Sequence, residues 1–160
     1  MKSRNTVIQP QDAERIHEIL THFLDDSGAA EALVIDRGGQ LLAMDGDAQA
    51  LDAVSISALA AAAFSSTAAM AQLLGEPEFS VLFHEGTKRS IHVSTVDDET
   101  ILLAIFDQRT TVGMVRLFAV EASRAIGSVL GAARARPKPA AEFAAPLNDT
   151  EARPAWTPPS

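Results

Sequence analysis

The chain has 160 residues, 47% of them hydrophobic and 21% charged, which predicts a single folded domain with a modest core. Its formal net charge of −8 and its aromatic content of 5%, with no tyrosine, argue against nucleic acid and anionic membranes as partners. The absence of cysteine excludes disulfides, thiolate zinc sites and a cysteine nucleophile.

The N-terminal segment predicts an arm followed by a first helix. Residues 1–11 lack the apolar run of a secretory signal, so we expect an irregular arm on a cytoplasmic protein. From about Asp12 to Ser27, apolar residues recur at helical spacing, and Gly28 then ends the pattern. This helix has one apolar face, and we expect its histidines to be solvated rather than bound to metal.

Two short strands are predicted to follow as a hairpin. Residues 30–36 and 41–44 are apolar runs joined by a Gly-Gly turn. Asp45 and Asp47 come next, but the twelve-residue calcium loop that ends in glutamate is missing. We therefore interpret these aspartates as turn residues and expect no metal site.

The longest predicted element is a helix from Asp52 to Gly75, with no charged residue between Asp52 and Glu76. The Asp52 carboxylate can accept the free N–H groups of the first turn, Gly75 can end the helix, and Pro77 prevents continuation. At about 100° per residue, the larger apolar side chains form a stripe that we expect to face the core. This expected core stripe consists of Ile56, Leu59, Ala60, Ala63, Thr67, Met70 and Leu74, flanked by Phe64 and Leu73.

The opposite side of this helix predicts a surface for another protein. It presents only small or uncharged side chains, where an ordinary surface helix carries charged ones. Two alternatives stay open: the helix is buried on all sides by its own chain, or alanine simply provides helix propensity. A membrane span is disfavoured because hydroxyl and amide side chains interrupt the helix and no basic residue flanks it closely. The predicted binding face comprises Ala58, Ala61, Ala62, Ser65, Ala68, Ala69 and Gln72.

Three strands and a last helix complete the predicted domain. The third strand is a near-continuous apolar run, which is typical of the centre of a sheet. His92 alternates onto the less apolar face of its strand, so we expect it at the surface. The predicted segments are residues 79–85, 90–96 and 100–106 for the strands and 112–134 for the helix.

The predicted order is therefore α-β-β-α-β-β-β-α in an α+β sandwich. A five-stranded antiparallel sheet would carry the long helix on one face and the two terminal helices on the other. The domain is expected to span residues 12–135, followed by a disordered Pro- and Ala-rich tail over residues 136–160. Phe143, Leu147 and Trp156 are isolated apolar residues in this tail; they either have no role or form a short docking segment.

The sequence contains no recognisable catalytic constellation. Phosphate-binding loops, dinucleotide-binding glycine motifs, nucleophile elbows and zinc-binding helices are all missing. His84 and Glu85 are adjacent on a predicted strand, so their side chains point to opposite faces and cannot act together on one substrate. We expect no catalytic residue, no cofactor and no small-molecule substrate.

Several segments resemble the bacterial roadblock family. Residues 33–41, the alanine-rich helix and residues 73–79 carry the family pattern, and the resemblance extends over about residues 12–130. Two further segments, 83–88 (FHEGTK) and 105–117 (IFDQRTTVGMVRL), are similar to members that act on a Ras-like polarity GTPase.

The resemblance implies a homodimer whose partner is a GTP-bound, MglA-like small GTPase in bacterial cell polarity and motility, with the cell pole as its place of action. The strand 79–85 would pair with its twin, and the two long helices would lie side by side. In family members, small residues on this helix contact the GTPase, and they correspond here to Ser65 and Ala69. The dimer interface implied in this way comprises Phe79, Val81, Phe83 and Glu85.

The resemblance also implies a mechanism without a catalytic group in this chain. Family members stimulate hydrolysis by repositioning the GTPase's own Arg and Gln, an effect worth on the order of 10³ or more in rate. Arg109 and Arg116 are still the first arginines to examine; alternatively, Arg109 braces the Asp107 loop and Arg116 is a surface charge. The competing functions are a roadblock scaffold that leaves hydrolysis unchanged and a ligand-sensing module with a closed pocket.

Overall fold

The computed structural model of the chain describes residues 7–47 and 51–137 and confirms the predicted order of elements. The arm and tail predicted from the sequence lie mostly outside the described residues, although the first helix already begins within the predicted arm. The helices are α1 (Pro10–Ser27), α2 (Ala53–Leu73) and α3 (Val112–Ala135). The strands are β1 (Glu31–Asp36), β2 (Leu41–Gly46), β3 (Val81–His84), β4 (Ser90–Asp97) and β5 (Thr100–Phe106).

The five strands form one antiparallel sheet in the order β2-β1-β5-β4-β3. β5 lies at the centre and is buried along its whole length, as its apolar sequence predicts. β3 is an edge strand of only 4 residues that pairs with β4. The predicted strand 79–85 was too long, so Phe79 and Glu85 lie outside β3. The chain turns soon after β3. Glycine is required at position 86 of this turn, because a Cβ there would lie 2.1 Å from the Arg89 carbonyl oxygen.

α1 and α3 pack on one face of the sheet and against each other. α1 ends at Gly28, whose positive φ of 73° is favourable for glycine. The end of α3 is held by Arg134, whose Nη1 donates to Asp97 Oδ2 at 2.6 Å, and by an ion pair between Arg136 and Asp12. The large buried side chains of this layer include Ile16, Leu20, Phe23, Val34, Leu102, Val115, Ile126 and Leu130.

His92 lies in this layer, and the prediction that it is a surface residue was wrong. It is 1% exposed, because α3 covers the face of β4 that alternation alone marks as polar. Neither ring nitrogen has a hydrogen-bond partner in the described part of the chain. Burial lowers the pKa of His92, and the nearby positive charge of Arg116 lowers it further. The imidazole is therefore favoured in its neutral form.

The other face of the sheet is covered by α2, with no second helix beside it among the described residues. The core on this side joins Phe64 and two alanines of α2 to apolar side chains of the sheet. Those sheet residues are Leu33, Ile35, Val93, Ile101, Leu103 and Ile105. The predicted division into one helix on one face and two on the other is confirmed.

Candidate protein-binding surface

α2 forms where the sequence places it, with caps at both ends. Asp52 Oδ1 accepts a hydrogen bond from the Ser55 backbone N–H at 3.0 Å. Hydrogen bonds from Ser55 lower the pKa of Asp52, which keeps this cap ionised at neutral pH. Gly75 has a φ of +76° just beyond the helix, as expected for a left-handed stop.

The side of α2 that faces the sheet differs from the predicted core stripe. The prediction is right for Ala60, Thr67 and the flanking Phe64, which are buried. It is wrong for Leu59 and Met70, whose side chains are 70% and 51% exposed, and for Leu73 and Leu74, which are also exposed. The residues of α2 that are buried are Ser57, Ala60, Ala61, Phe64, Thr67 and Ala71.

α2 buries mostly small residues against the sheet and also lies close to the β1–β2 turn. A Cβ on Gly39, in the β1–β2 turn, would lie 3.0 Å from the Ala58 Cα, so the helix backbone nearly touches this turn. Phe64 is the one bulky buried side chain of α2. The Arg37 guanidinium lies 5.3 Å from its ring centroid and forms an ion pair with Glu78. Small residues and one anchored ring therefore determine how α2 is rotated.

Five of the seven residues predicted on the binding face are exposed in the structure. Of the other two, Ala61 is 4% exposed because it lies on the sheet side of the helix, one turn before Phe64. Ala61 therefore cannot belong to a surface that another protein contacts. Ala68 is half-buried at the margin. The exposed members are Ala58, Ala62, Ser65, Ala69 and Gln72.

The exposed surface of α2 has two flanks of different character. At about 100° per residue, Leu59, Ala63 and Met70 fall on one side of the outward direction, which we call the large flank. Ser65 and Ala69, with Ala58 between them, fall on the other, which we call the small flank. Neither flank carries an ionised side chain. The large flank was not predicted from the sequence. The sequence does contain an indication of it, because α2 has more large apolar residues than can all face the sheet.

β3 forms one edge of the sheet, at the opposite end from β1 and β2, the strands on which α2 chiefly packs. Within residues 7–47 and 51–137, the backbone of β3 pairs with β4 on one side only, which leaves the other side able to accept another strand. Phe83 is partly exposed and stacks on Phe106, with ring centroids 6.1 Å apart. Val81 and Phe79 are half-buried, and Glu85 is exposed. Of the four predicted interface residues, the structure places two on β3 and two beside its ends.

Neither arginine singled out from the sequence lies on the α2 face. Arg109 Nε donates to both carboxylate oxygens of Asp107 at 3.0 Å. This hydrogen bond holds the pKa of Asp107 below its usual value. Arg109 thus braces the loop before α3, which was the alternative interpretation. Arg116 is exposed on α3, on the opposite face of the sheet from α2.

The described residues contain no group of three or more His, Asp or Glu side chains that could hold a metal ion. A groove of about 520 Å³ opens to solvent between the β3–β4 hairpin and the start of α3. It is lined by Phe83, Thr87, Phe106, Asp107, Gln108 and Thr111 among others. It is not the enclosed cavity that a ligand-sensing module would need.

α2 is the only helix in the described part of the chain that is long and apolar enough to cross a membrane, with a mean hydropathy of 1.5. Core helices of domains meet the same criterion. Here α2 is packed on the sheet through Phe64, and it begins after the Asp52 cap and ends before Gly75, within the domain. The helix belongs to the domain core on one side and to the surface on the other.

The chain matches the model of one known protein family. Residues 15–106 match the model of the Roadblock/LC7 domain. Comparison with curated proteins gives no match.

Three solved structures of MglB are similar to this chain. Myxococcus xanthus MglB is 32% identical with a TM-score of 0.70, and the match covers 73% of this chain and 95% of that one. The gliding protein MglB of Thermus thermophilus is 30% identical with a TM-score of 0.75, covering 80% and 97%. A structure of MglB with a tetrameric arrangement is 30% identical with a TM-score of 0.76, covering 81% and 97%.

Proposed function

This chain belongs to the Roadblock/LC7 family, and we propose that it acts as a homodimer that activates GTP hydrolysis by an MglA-like, Ras-like small GTPase in bacterial cell polarity and motility. The observation that carries this proposal is the exposed surface of α2, which has no ionised side chain on either flank. One flank is bulky and apolar, and the other is small. This difference supports one kind of partner for each flank.

The large flank and the edge of β3 support the homodimer. Pairing of β3 with its twin would satisfy the free backbone groups of the edge and extend the sheet across two chains. The same two-fold axis would bring the two α2 helices together, which would cover Leu59 and Met70. Burying a leucine or methionine side chain contributes about 1.5–3 kcal/mol, so four such side chains favour association.

The small flank supports contact with the GTPase. Ser65 and Ala69 are exposed and lack long side chains, so a flat protein surface can approach the backbone of α2 closely. Ala62 and Gln72 extend this surface along the helix. The similarity to MglB and the family pattern support a Ras-like GTPase as the class of partner.

The proposed mechanism places the catalytic groups in the GTPase. Docking of a rigid helix would fix the position of the GTPase's own Arg and Gln near the γ-phosphate, where organising such groups is worth on the order of 10³ or more in rate. The α2 face itself offers no arginine, histidine or carboxylate to the reaction. This arrangement agrees with the absence of charged residues on α2.

Single-turnover GTP hydrolysis by a cognate GTPase, measured with and without the full chain, tests this proposal. We expect the rate to rise by at least tenfold at saturating concentration of the chain. Binding with an unchanged rate would instead select the roadblock scaffold. No binding would reject both.

Charge substitutions on α2 separate the two flanks. Ser65→Arg and Ala69→Arg should abolish the complex, because a guanidinium would have to lose its water against a close surface. Both variants should remain dimeric. Ser128→Arg is the matched control, since Ser128 is exposed on α3 at the opposite face of the sheet, and it should bind normally. Equal loss of binding in Ser128→Arg would show a general charge effect and contradict the assignment.

A further inference from the structure

A second exposed apolar surface lies on α3, away from the face used by the proposed function. Leu117 and Val120 are 63% and 58% exposed, and Met114 is also exposed. Arg116 and Arg124 border these side chains, and neither has an acidic side chain within 4.0 Å in the described part of the chain. We call these five residues the α3 patch. Glu121 is the one carboxylate on α3 beside these two arginines, so on a chain of net charge −8 the surface is apolar with a local excess of positive charge.

The chain itself supplies a segment of complementary chemistry. Residues 142–151, EFAAPLNDTE, lie outside the described residues and follow α3 closely in the sequence. They contain three carboxylates and no cation. Phe143 and Leu147 are spaced four residues apart within this acidic stretch.

We propose that residues 142–151 dock on the α3 patch of the same chain. Phe143 and Leu147 cover Val120 and Leu117, and the carboxylates of the segment pair with Arg116 and Arg124. The apolar contacts provide the burial, and the opposite charges fix the position of the segment along the helix. This interaction surface is separate from α2 and is independent of any effect on a GTPase.

The length of the chain fits this arrangement. Arg136 follows α3 with φ −66° and ψ 137°, so the chain leaves the helix extended, and Pro137 prevents a further turn. At about 1.5 Å per residue, Val120 lies roughly 24 Å back along the helix from Arg136. At about 3.3 Å per residue, a fully extended chain brings the Phe143 backbone about 23 Å along this path, and the length of the Phe143 side chain covers the remainder. The same estimates give Leu147 a reach of about 36 Å, enough to arrive at Leu117.

A glycine lies on the path between the end of α3 and the patch. At about 100° per residue, Gly131 stands nearly in line with Val120 and Arg124 along the helix. It is exposed, and no atom lies within 4 Å of the place where its Cβ would stand, so packing within the domain does not require glycine there. Gly127 differs, because its Cβ would lie 3.4 Å from the Val96 carbonyl oxygen. A glycine inside a helix lowers the stability of the helix by about 1 kcal/mol relative to alanine. At position 131 the missing side chain leaves room for a segment that runs closely over α3.

Disulfide trapping in the full chain tests the docking, since the natural sequence has no cysteine. The test pair is Glu121→Cys with Ala144→Cys, which places one thiol beside the patch and one between the two apolar anchors. The control pair is Glu18→Cys with Ala144→Cys. Glu18 is exposed on α1 about 9 Å along the helix from Asp12, the partner of Arg136, so the tail reaches it more easily than Glu121.

With a copper–phenanthroline oxidant, we expect the test pair to close within one chain at least tenfold faster than the control pair, because docking raises the effective concentration of the two thiols. Non-reducing electrophoresis separates the linked monomer from linked dimers. Equal rates for the two pairs would overturn the proposal. Linked dimers in place of linked monomers would assign the segment to a second copy and overturn it as well.

A charge reversal tests the specificity of the contact. Arg116→Glu with Arg124→Glu, introduced into the test pair, should reduce its rate to that of the control pair. Adding Glu142→Lys, Asp149→Lys and Glu151→Lys to that background should restore fast closure. Loss without restoration would contradict the charge pairing, and the far-ultraviolet circular dichroism of each variant verifies that it is folded.

Discussion

The two faces of the sheet are covered in different ways. On one face, α3 lies beside α1, and both helices bury long side chains such as Ile16, Ile126 and Leu130. On the other face, α2 has no neighbouring helix in the described part of the chain, and it packs on the sheet through Phe64 and small residues. The first face is covered by two of the chain's own helices, although the outer side of α3 leaves Leu117 and Val120 exposed. The second leaves Leu59 and Met70 in solvent.

This difference indicates where the molecule is incomplete. A helix with a neighbour in its own chain can bury both its inner side and one flank, whereas a solitary helix buries only its inner side. The exposed apolar flank of α2 therefore supports the proposed interface, because large contiguous apolar patches on isolated domains usually mark interaction sites. The difference supports the proposal that α2 is the face that binds other proteins.

The largest expected effect comes from removing the single anchor of the α2 face. Phe64→Ala should lower the free energy of unfolding by about 3–5 kcal/mol, because it deletes a ring that is fully buried between α2 and the sheet. Urea denaturation measures the change. Phe118→Ala is the matched control: Phe118 is half-buried on α3, outside the proposed interfaces, and should cost about 1–2 kcal/mol. Equal costs for the two variants would show that Phe64 is no special anchor.

A smaller effect is expected from the residue that holds this anchor. Arg37→Met should cost about 1–2 kcal/mol, because it removes both the contact with the Phe64 ring and the ion pair to Glu78. The comparison is Arg15→Met on α1, since Arg15 is exposed and forms no ion pair among the described residues. Both are measured by urea denaturation. A loss in Arg15→Met as large as in Arg37→Met would contradict the bracing role.

The smallest expected effect on stability at neutral pH comes from His92→Leu, on the sheet face covered by α1 and α3. The pKa of His92 is lowered in the folded chain by burial and by Arg116, from an ordinary value of 6.5. As the pH falls below about 6.5, the unfolded chain binds the proton first, so stability is lost towards acid with a slope of at most about 1.4 kcal/mol per pH unit. His92→Leu should remove this slope.

Urea denaturation at several pH values between about 7.5 and 5 checks this prediction. The slope should disappear in His92→Leu but persist in His22→Leu, because His22 is exposed on α1. Below about pH 4, both variants should still lose stability, because the hydrogen bond from Arg136 lowers the pKa of Asp12. An unchanged slope in His92→Leu would show that other groups titrate in this range.

The order of elements and the ends of the helices were predictable from local chemistry. Asp52, Gly28 and Gly75 act where their residue types indicate, and the apolar run of β5 correctly marks the centre of the sheet. These signals depend on a few adjacent residues. Tertiary packing does not change them.

The rotation of α2 and the burial of His92 were not predictable in the same way. Leu59 and Met70 are larger than Ala60 and Ala61, so an apolar stripe assigned by size turns the wrong side inward. Close approach of the helix to the sheet selects small residues, and this cannot be read from the helix alone. His92 was misplaced because the cover that α3 gives to β4 comes from a distant part of the chain.

The oligomeric state of the full chain tests the central claim most directly. By sedimentation velocity at tens of micromolar, the account predicts a dimer for the natural chain, a monomer for Leu59→Asp, and a dimer for Ser65→Asp on the small flank. The charge in Leu59→Asp would have to be buried between two helices, whereas Ser65 stays free in the dimer. A monomeric natural chain, or a Leu59→Asp variant that remains dimeric, would contradict the claim that a second copy covers the large flank of α2.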